Sequence, residues 1–304
     1  MKLTLKEEIE LTKADGTGFD ARSLDEAYDF CKSIALGHYE NFPVGSILIK
    51  SSLRKHFFAV YSFSRVADDL ADEPSESVSS EDRIEALNHF EALLASPTEI
   101  QNPIFLALRD TMSRFSIPRE PFSMLVEAFR RDVDFRQAET WVDTIDYCRH
   151  SANPVGEIVL RLFGAYSPIT APLSDDICTG LQLVNFWQDF SRDIPNNRFY
   201  IPLEILEKYG VSNATLLLDN NSSIQDRIVE EICDYAQGYF DRGKALIGHL
   251  DDFRLRMEIA ATILGGQAIL KKVRISGKSV FALRPAIGKL EMFAILLKSF
   301  FTRG

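Results

Sequence analysis

Apolar residues recur at the three-and-four spacing of amphipathic helices along nearly the whole chain, while alternating β-branched runs bounded by turn signals are scarce. The pattern predicts an all-α fold. Ser51 and Ser52 are placed to cap a helix that Pro74 ends, and Ser174 to cap one that stops before Pro195. Further helices are expected over 80–95, 103–114, 121–135, 142–163, 224–250 and 253–274, with loops at 72–80, 96–102, 166–173 and 213–223. No shift in composition marks a boundary, so the expectation is a single domain, 23–304, behind a flexible N-terminal arm, 1–22.

Two polar stripes interrupt this pattern. Asp68 and Asp72 lie four residues apart, which puts both carboxylates on one helix face, and Arg65 and Tyr61 continue that face toward the N-terminus. Further on, Gln182, Asn185, Asp189 and Asp193 step by three, four and four among Leu181, Leu183, Val184, Phe186, Trp187 and Phe190. Like charges at this spacing repel, and partial burial raises the cost, so a cation should offset them. Carboxylate oxygens beside an amide oxygen suit Mg²⁺, which commonly bridges carboxylates to phosphate groups. The plainer reading of each stripe, a solvated helix end and a polar face, weighs less when both occur on apolar helices.

Composition narrows the chemistry. The 304 residues carry 34 Lys and Arg against 44 Asp and Glu, a net charge of −10, which argues against a nucleic-acid binder. Eight basic residues and one acidic residue fall between Lys271 and Gly304, so that segment carries +7 and the remainder −17. Cys31, Cys148, Cys178 and Cys233 are scattered without a metal-site pattern and read as reduced thiols. The charged stretch Met1–Asp15 has no apolar signal-peptide core, and no run approaches the ~20 apolar residues of a spanning helix. The chain lacks GxxxxGK[ST], a strand-borne GxGxxG and GxSxG. A metal-held diphosphate as leaving group is left as the leading chemistry, and 22 Phe, 9 Tyr and 2 Trp could shelter a carbocation through their π faces.

At Asp68-xxx-Asp72, with Tyr61 and Arg65 before it, and Asp189-xxx-Asp193, followed by Arg198-x-Tyr200-x-Pro202, the chain resembles the squalene/phytoene synthase family from about His38 to Lys278. The resemblance implies a type I isoprenoid synthase helical bundle with a central cavity, Mg²⁺ as cofactor and an isoprenoid diphosphate as substrate. It also implies that Asp68, Asp72, Asn185, Asp189 and Asp193 hold Mg²⁺. Arg65, Gln182, Arg198 and Tyr200 would bind the diphosphate, and His38, Asn41, Phe42, Gln188 and Lys278 would add substrate contacts. Tyr61 and Tyr147 would face the reacting carbons, although Tyr147 also fits a core-packed aromatic. The segment from Tyr147-Cys148 to Val155-Gly156 resembles one whose small residues leave room for a prenyl tail, whereas Asn153-Pro154 reads as a helix start or kink.

Two departures matter. Glu40 stands where two-substrate members usually carry a lysine, and Gln188 where they usually carry an arginine, so two phosphate-facing cations are lost. With HYENFP at 38–43 and NFWQD at 185–189, the chain looks like the hydroxysqualene synthase branch, which acts on presqualene diphosphate and needs no reductant. Glu40 is then either the group that handles the quenching water or a surface acid. The alternatives are a head-to-head prenyltransferase that makes squalene, presqualene diphosphate, dehydrosqualene or phytoene, and a non-catalytic scaffold of an isoprenoid complex. The expected location is cytoplasmic, with other hopanoid-pathway enzymes as candidate partners. Residues 290–301 form an apolar stretch between lysines and read either as a core-packing helix or as a peripheral contact with the anionic inner face of the plasma membrane, and Lys278 and Arg284 of the same basic tail are alternatively placed to close over the diphosphate.

Overall fold

The computed structural model describes residues 1–13, 19–37, 49–72, 78–95, 101–218 and 222–302, and among them it contains helices and no strand. The all-α expectation holds. Contacts divide the chain into two compact units, one of Met1–Asp134 with Arg161–Gly164 and the other of Phe135–Leu160 with Ala165–Gly304.

The first unit contains α1 (Leu5–Leu11), α2 (Leu24–Gly37), α3 (Ser51–Asp72), α4 (Ser80–Ala95), α5 (Pro103–Phe115) and α6 (Glu120–Val133). Its core gathers around Phe63 of α3, whose ring meets Phe90 of α4, Phe105 of α5 and Phe122 of α6 at centroid distances of 5.1, 5.9 and 5.2 Å. All four rings are fully buried. Beside this cluster, His56 and Thr111 hydrogen-bond with Tyr28, whose hydroxyl donates to Asp110 at 2.6 Å. Burial pushes His56 down to about 4, so the imidazole stays neutral in this network.

Part of the stretch expected to be flexible is helical. The Thr4 hydroxyl accepts from the Glu7 backbone N–H and the Glu7 carboxylate accepts from Thr4, which forms a capping box for α1. Leu5 and Leu11 are buried, and the Asn102 side-chain amide donates to the Leu11 carbonyl at 2.6 Å.

The second unit contains α7 (Trp141–Ser151), α8 (Asn153–Leu162, whose last two residues belong to the first unit), α9 (Thr170–Gln188), α10 (Phe190–Asp193), α11 (Leu203–Lys208), α12 (Asn213–Leu216), α13 (Ser222–Gly243), α14 (Phe253–Ser276) and α15 (Lys289–Phe301). The expected helix over 142–163 is two helices that meet at Ala152, so Asn153-Pro154 starts a helix as its chemistry suggests. Ser174 does not cap α9. The Ser167 hydroxyl takes that role by accepting the N–H groups of Ile169 and Thr170, and Ser174 lies buried within the helix. Residues 213–216, expected in a loop, form a short helix capped by Ser212.

All four cysteines are free, and burial pushes each thiol up to about 12, which keeps them protonated and weakly nucleophilic near neutrality.

Glu258 of α14 has one carboxylate oxygen buried without a hydrogen-bond partner among the described residues, and burial raises the group from 4.5 to about 7. The folded chain therefore keeps a proton that the unfolded chain releases, so stability should fall as pH rises between about 5 and 8, by up to about 3 kcal/mol. Urea unfolding across that range should show the decline, and Glu258→Gln should flatten it. An unchanged slope in the variant would remove Glu258 as the source.

Candidate active site

The first stripe lies on α3, a 22-residue helix with Ala59, Phe63, Val66, Ala67 and Leu70 turned into the core. That choice of inner face fixes the outer one. Tyr61, Arg65 and Asp68 are half-buried and Asp72 is exposed, so the i, i+4, i+7, i+11 series stays on one side of the helix. Asp69, absent from the predicted set, is almost fully buried and takes both Nε and Nη2 of Arg65, with Nε at 2.9 Å. The remaining Nη1 lies 3.3 Å from Asp68. Asp69 thus fixes the guanidinium in place, while the Asp68 side chain stays 42% exposed.

The second stripe spans the end of α9. Asp189 leaves helical geometry at φ −98° and ψ 8°, and α10 begins at the next residue. The i,i+4 bonds nevertheless continue across the break, from the Asp189 N–H to the Asn185 carbonyl and from the Asp193 N–H to the Asp189 carbonyl, each at 3.0 Å. Gln182, Asn185, Asp189 and Asp193 therefore keep a common register on a face that is not fully buried. Phe190 anchors the break from below, buried and stacked on Phe281 at 5.0 Å. The chain then turns through Asn197, at φ 58°, so that the Arg198 N–H reaches the Asp193 carbonyl at 3.0 Å.

An aromatic wall adjoins this stripe. Tyr200 stacks on Phe186 at 4.0 Å with an interplanar angle of 9°, Phe135 meets Tyr200 edge-on at 5.2 Å, and Tyr147 lies 5.8 Å from Phe186. Three of these rings are half-buried and Phe186 is buried, so Tyr147 takes part in packing while keeping exposed surface. Gly156 does not open space here. A Cβ at that position would overlap the Ser174 hydroxyl and approach the Cys178 sulfur at 2.7 Å, so its small size serves close packing of α8 on α9.

The basic segment beyond α14 reaches this stripe as well. Arg284 places its guanidinium on both carboxylate oxygens of Asp189, and the Gln188 amide donates to the carbonyl of the next residue, Pro285, at 2.7 Å. Gln188 is thus a strut for the segment that carries Arg284. Lys278, predicted as a substrate contact, instead donates from its ammonium to Ser222 at 2.8 Å and from its backbone to Asp226 at 2.7 Å. The turn that sends the chain toward Arg284 requires glycine: Gly277 has φ 48°, and a Cβ there would strike the Asp226 carboxylate. No short-range signal links Arg284 to a residue 95 positions earlier; the excess of basic residues in this segment is the only hint in the sequence.

Among the described residues no three His, Cys, Asp or Glu side chains are grouped closely enough to hold a metal. The donor chemistry still fits Mg²⁺, because both stripes offer hard oxygens on incompletely buried faces and each pairs an acid with guanidinium. His38, Glu40, Asn41 and Phe42 lie outside the described residues.

A family model for squalene/phytoene synthase matches residues 36–291. The chain is 34% identical over 245 residues to a hydroxysqualene synthase of Sinorhizobium fredii, covering 80% of this chain and 82% of that one. It is 29% identical to a phytoene synthase of Mycobacterium tuberculosis, with 75% and 76% covered. The crystal structure of squalene synthase HpnC from Alicyclobacillus acidocaldarius is similar at a TM-score of 0.76 and 37% identity, covering 86% of this chain and 97% of that one. A dehydrosqualene synthase with a bound ligand gives the same TM-score at 20% identity, a likeness of fold alone.

Proposed function

The chain belongs to the squalene/phytoene synthase family, and on that premise we propose that it converts presqualene diphosphate and water to hydroxysqualene, diphosphate and a proton, as in bacterial hopanoid formation. The observation that carries this reading is the 34% identity to hydroxysqualene synthases over most of the chain. The site chemistry supports it. Gln188, neutral where a second phosphate-facing cation would help condensation of two diphosphates, has its amide committed to Pro285.

Asp68, Asp72, Asn185, Asp189 and Asp193 would hold Mg²⁺, which when bound takes up charge from the departing diphosphate. Arg65 meets that diphosphate from a position set by Asp69. Arg284, paired with Asp189 in the structure, would be available to a phosphate oxygen were that carboxylate to hold the metal, and Arg198, Tyr200 and Gln182 are further candidate phosphate contacts. The C–O bond to the diphosphate breaks, the cyclopropylcarbinyl cation rearranges, with the aromatic faces of Tyr147 and Phe186 as its candidate shelter and Tyr61 as a further candidate by resemblance, and water adds to it with loss of a proton. Glu40 accepts that proton. No nucleotide reductant enters the balance.

Likeness to phytoene synthases favours a second reading, condensation of two prenyl diphosphates. One assay separates the two: purified protein with Mg²⁺ and either presqualene diphosphate or farnesyl diphosphate, without NADPH, followed by extraction. The expected result is an alcohol from the first and no product from the second. Presqualene diphosphate or a hydrocarbon made from prenyl diphosphates would overturn the reading. In the same assay, an unchanged rate and alcohol yield for Glu40→Gln would remove Glu40 from the mechanism.

A further inference from the structure

No helix among the described residues is long and apolar enough to cross a membrane, yet α15 is apolar on two sides. Its inner side, including Ile295 and Ser299, is buried, and Lys272 of α14 bonds Glu291 at 2.8 Å. Its outer side carries Leu290, Phe293, Ala294, Leu297, Phe300 and Phe301, all exposed, with Leu290 at 87% and Phe301 at 76%. At 3.6 residues per turn these six positions fall within an arc of about 120°. Phe253, at the start of α14, is also exposed and extends the patch through an edge contact with Phe300 at 5.5 Å. A contiguous apolar surface of this kind on a protein of net charge −10 calls for a covering partner.

The charges around the patch identify the partner. On the same helical projection Lys289 and Lys298 lie just outside the two edges of the arc, and Glu291, the one acid of the helix, is turned to Lys272. Between α14 and α15 a cleft of about 460 Å³ has Lys271, Lys272 and Lys298 in its lining, with Gln267 and one acid, Glu291, among otherwise apolar residues. Lys272 is engaged there by Glu291 and by the Ala286 carbonyl at 2.9 Å. Glu291 lies close enough to Lys271 for that ammonium also to help hold its carboxyl below the usual range, so the three lysines of the cleft outnumber its single acid. An apolar stripe bordered by cations and opening beside a basic cleft matches the surface of an anionic bilayer, with acyl chains against the stripe and headgroup phosphate in the cleft. The helix is about 20 Å long, too short to span about 30 Å of hydrocarbon, so it lies in the interface.

We propose that α15 is a reversible docking helix that seats the protein on anionic phospholipid, with Lys271 and Lys298 holding headgroup phosphate. The test is flotation of the full chain with vesicles of phosphatidylcholine alone or mixed with phosphatidylglycerol, with no substrate present, so that its outcome is separate from that of the proposed reaction. The expected result is at least tenfold stronger partition onto the mixed vesicles, weakened by salt. The double variant Phe293→Ser, Leu297→Ser should lose at least tenfold on the mixed vesicles. Lys271→Glu with Lys298→Glu should remove the preference for phosphatidylglycerol. Equal partition onto both vesicle types, or variants that bind as well as the parent, would overturn the proposal. So would a dimer in lipid-free buffer that Phe293→Ser with Leu297→Ser dissolves, since a second copy would then cover the face. The comparison of the two vesicle types with the parent protein decides the matter even if a variant fails to fold.

Discussion

Replacing Asp189 by alanine should lower kcat on presqualene diphosphate by a factor of about 10³ or more, equivalent to about 4 kcal/mol of transition-state stabilisation. Asp189 is the first of the two acids of its stripe, 16% exposed, with an i,i+4 backbone bond to each side that fixes it relative to Asn185 and Asp193. Its carboxylate holds the Arg284 guanidinium, so a structural role and a metal-binding role have to be distinguished. Arg284→Ala serves that purpose because it removes the ion pair and leaves the oxygen donors intact. If Asp189 holds metal, Arg284→Ala should cost clearly less in kcat than Asp189→Ala, and only the aspartate variant should lose its response to added Mg²⁺. Steady-state kinetics over a Mg²⁺ series, with circular dichroism as a check on folding, measure both. Turnover by Asp189→Ala within tenfold of the parent would refute the metal assignment, and equal losses in the two variants would reduce Asp189 to a partner of Arg284.

Phe63→Ala should destabilise the protein by about 3–5 kcal/mol, a third or more of the stability of a typical domain. Phe63 is fully buried on α3 and touches one ring on each of α4, α5 and α6, so its removal leaves a cavity where four helices meet. Those helices are held by cross-packing, and the cavity cannot close without moving several of them. Phe301→Ala is the comparison. That ring is 76% exposed, and its loss should change stability by no more than about 0.5 kcal/mol. Urea unfolding of the three proteins measures both effects. A loss below about 1.5 kcal/mol for Phe63→Ala would show that the cluster repacks.

Much of the fold was legible because helices are set by local pattern. The helix expected over 80–95 is found with both ends unchanged, and Tyr61, Arg65, Asp68 and Asp72 share a face as their spacing required. The helix at Leu5–Leu11 was legible too, since Thr4 and Glu7 have capping-box spacing, although the charged composition around them suggested a frayed arm. The apolar stretch at 290–301 was open to two readings because periodicity shows that a helix has apolar faces and not which of them a neighbour covers.

The sequence by itself determined the helical class, both acid stripes and the oxygen-donor chemistry they share, because each depends on residues within a few turns of one another. The tertiary structure alone decided what meets them: Arg284 comes to Asp189 across 95 positions, Gln188 braces Pro285, and Lys278 turns to Ser222. Gly156 is used for packing and half of α15 is left uncovered for the same physical reason. Side-chain partners between helices are chosen by which faces the packed core brings together, and that choice is a property of the whole chain that no local spacing encodes.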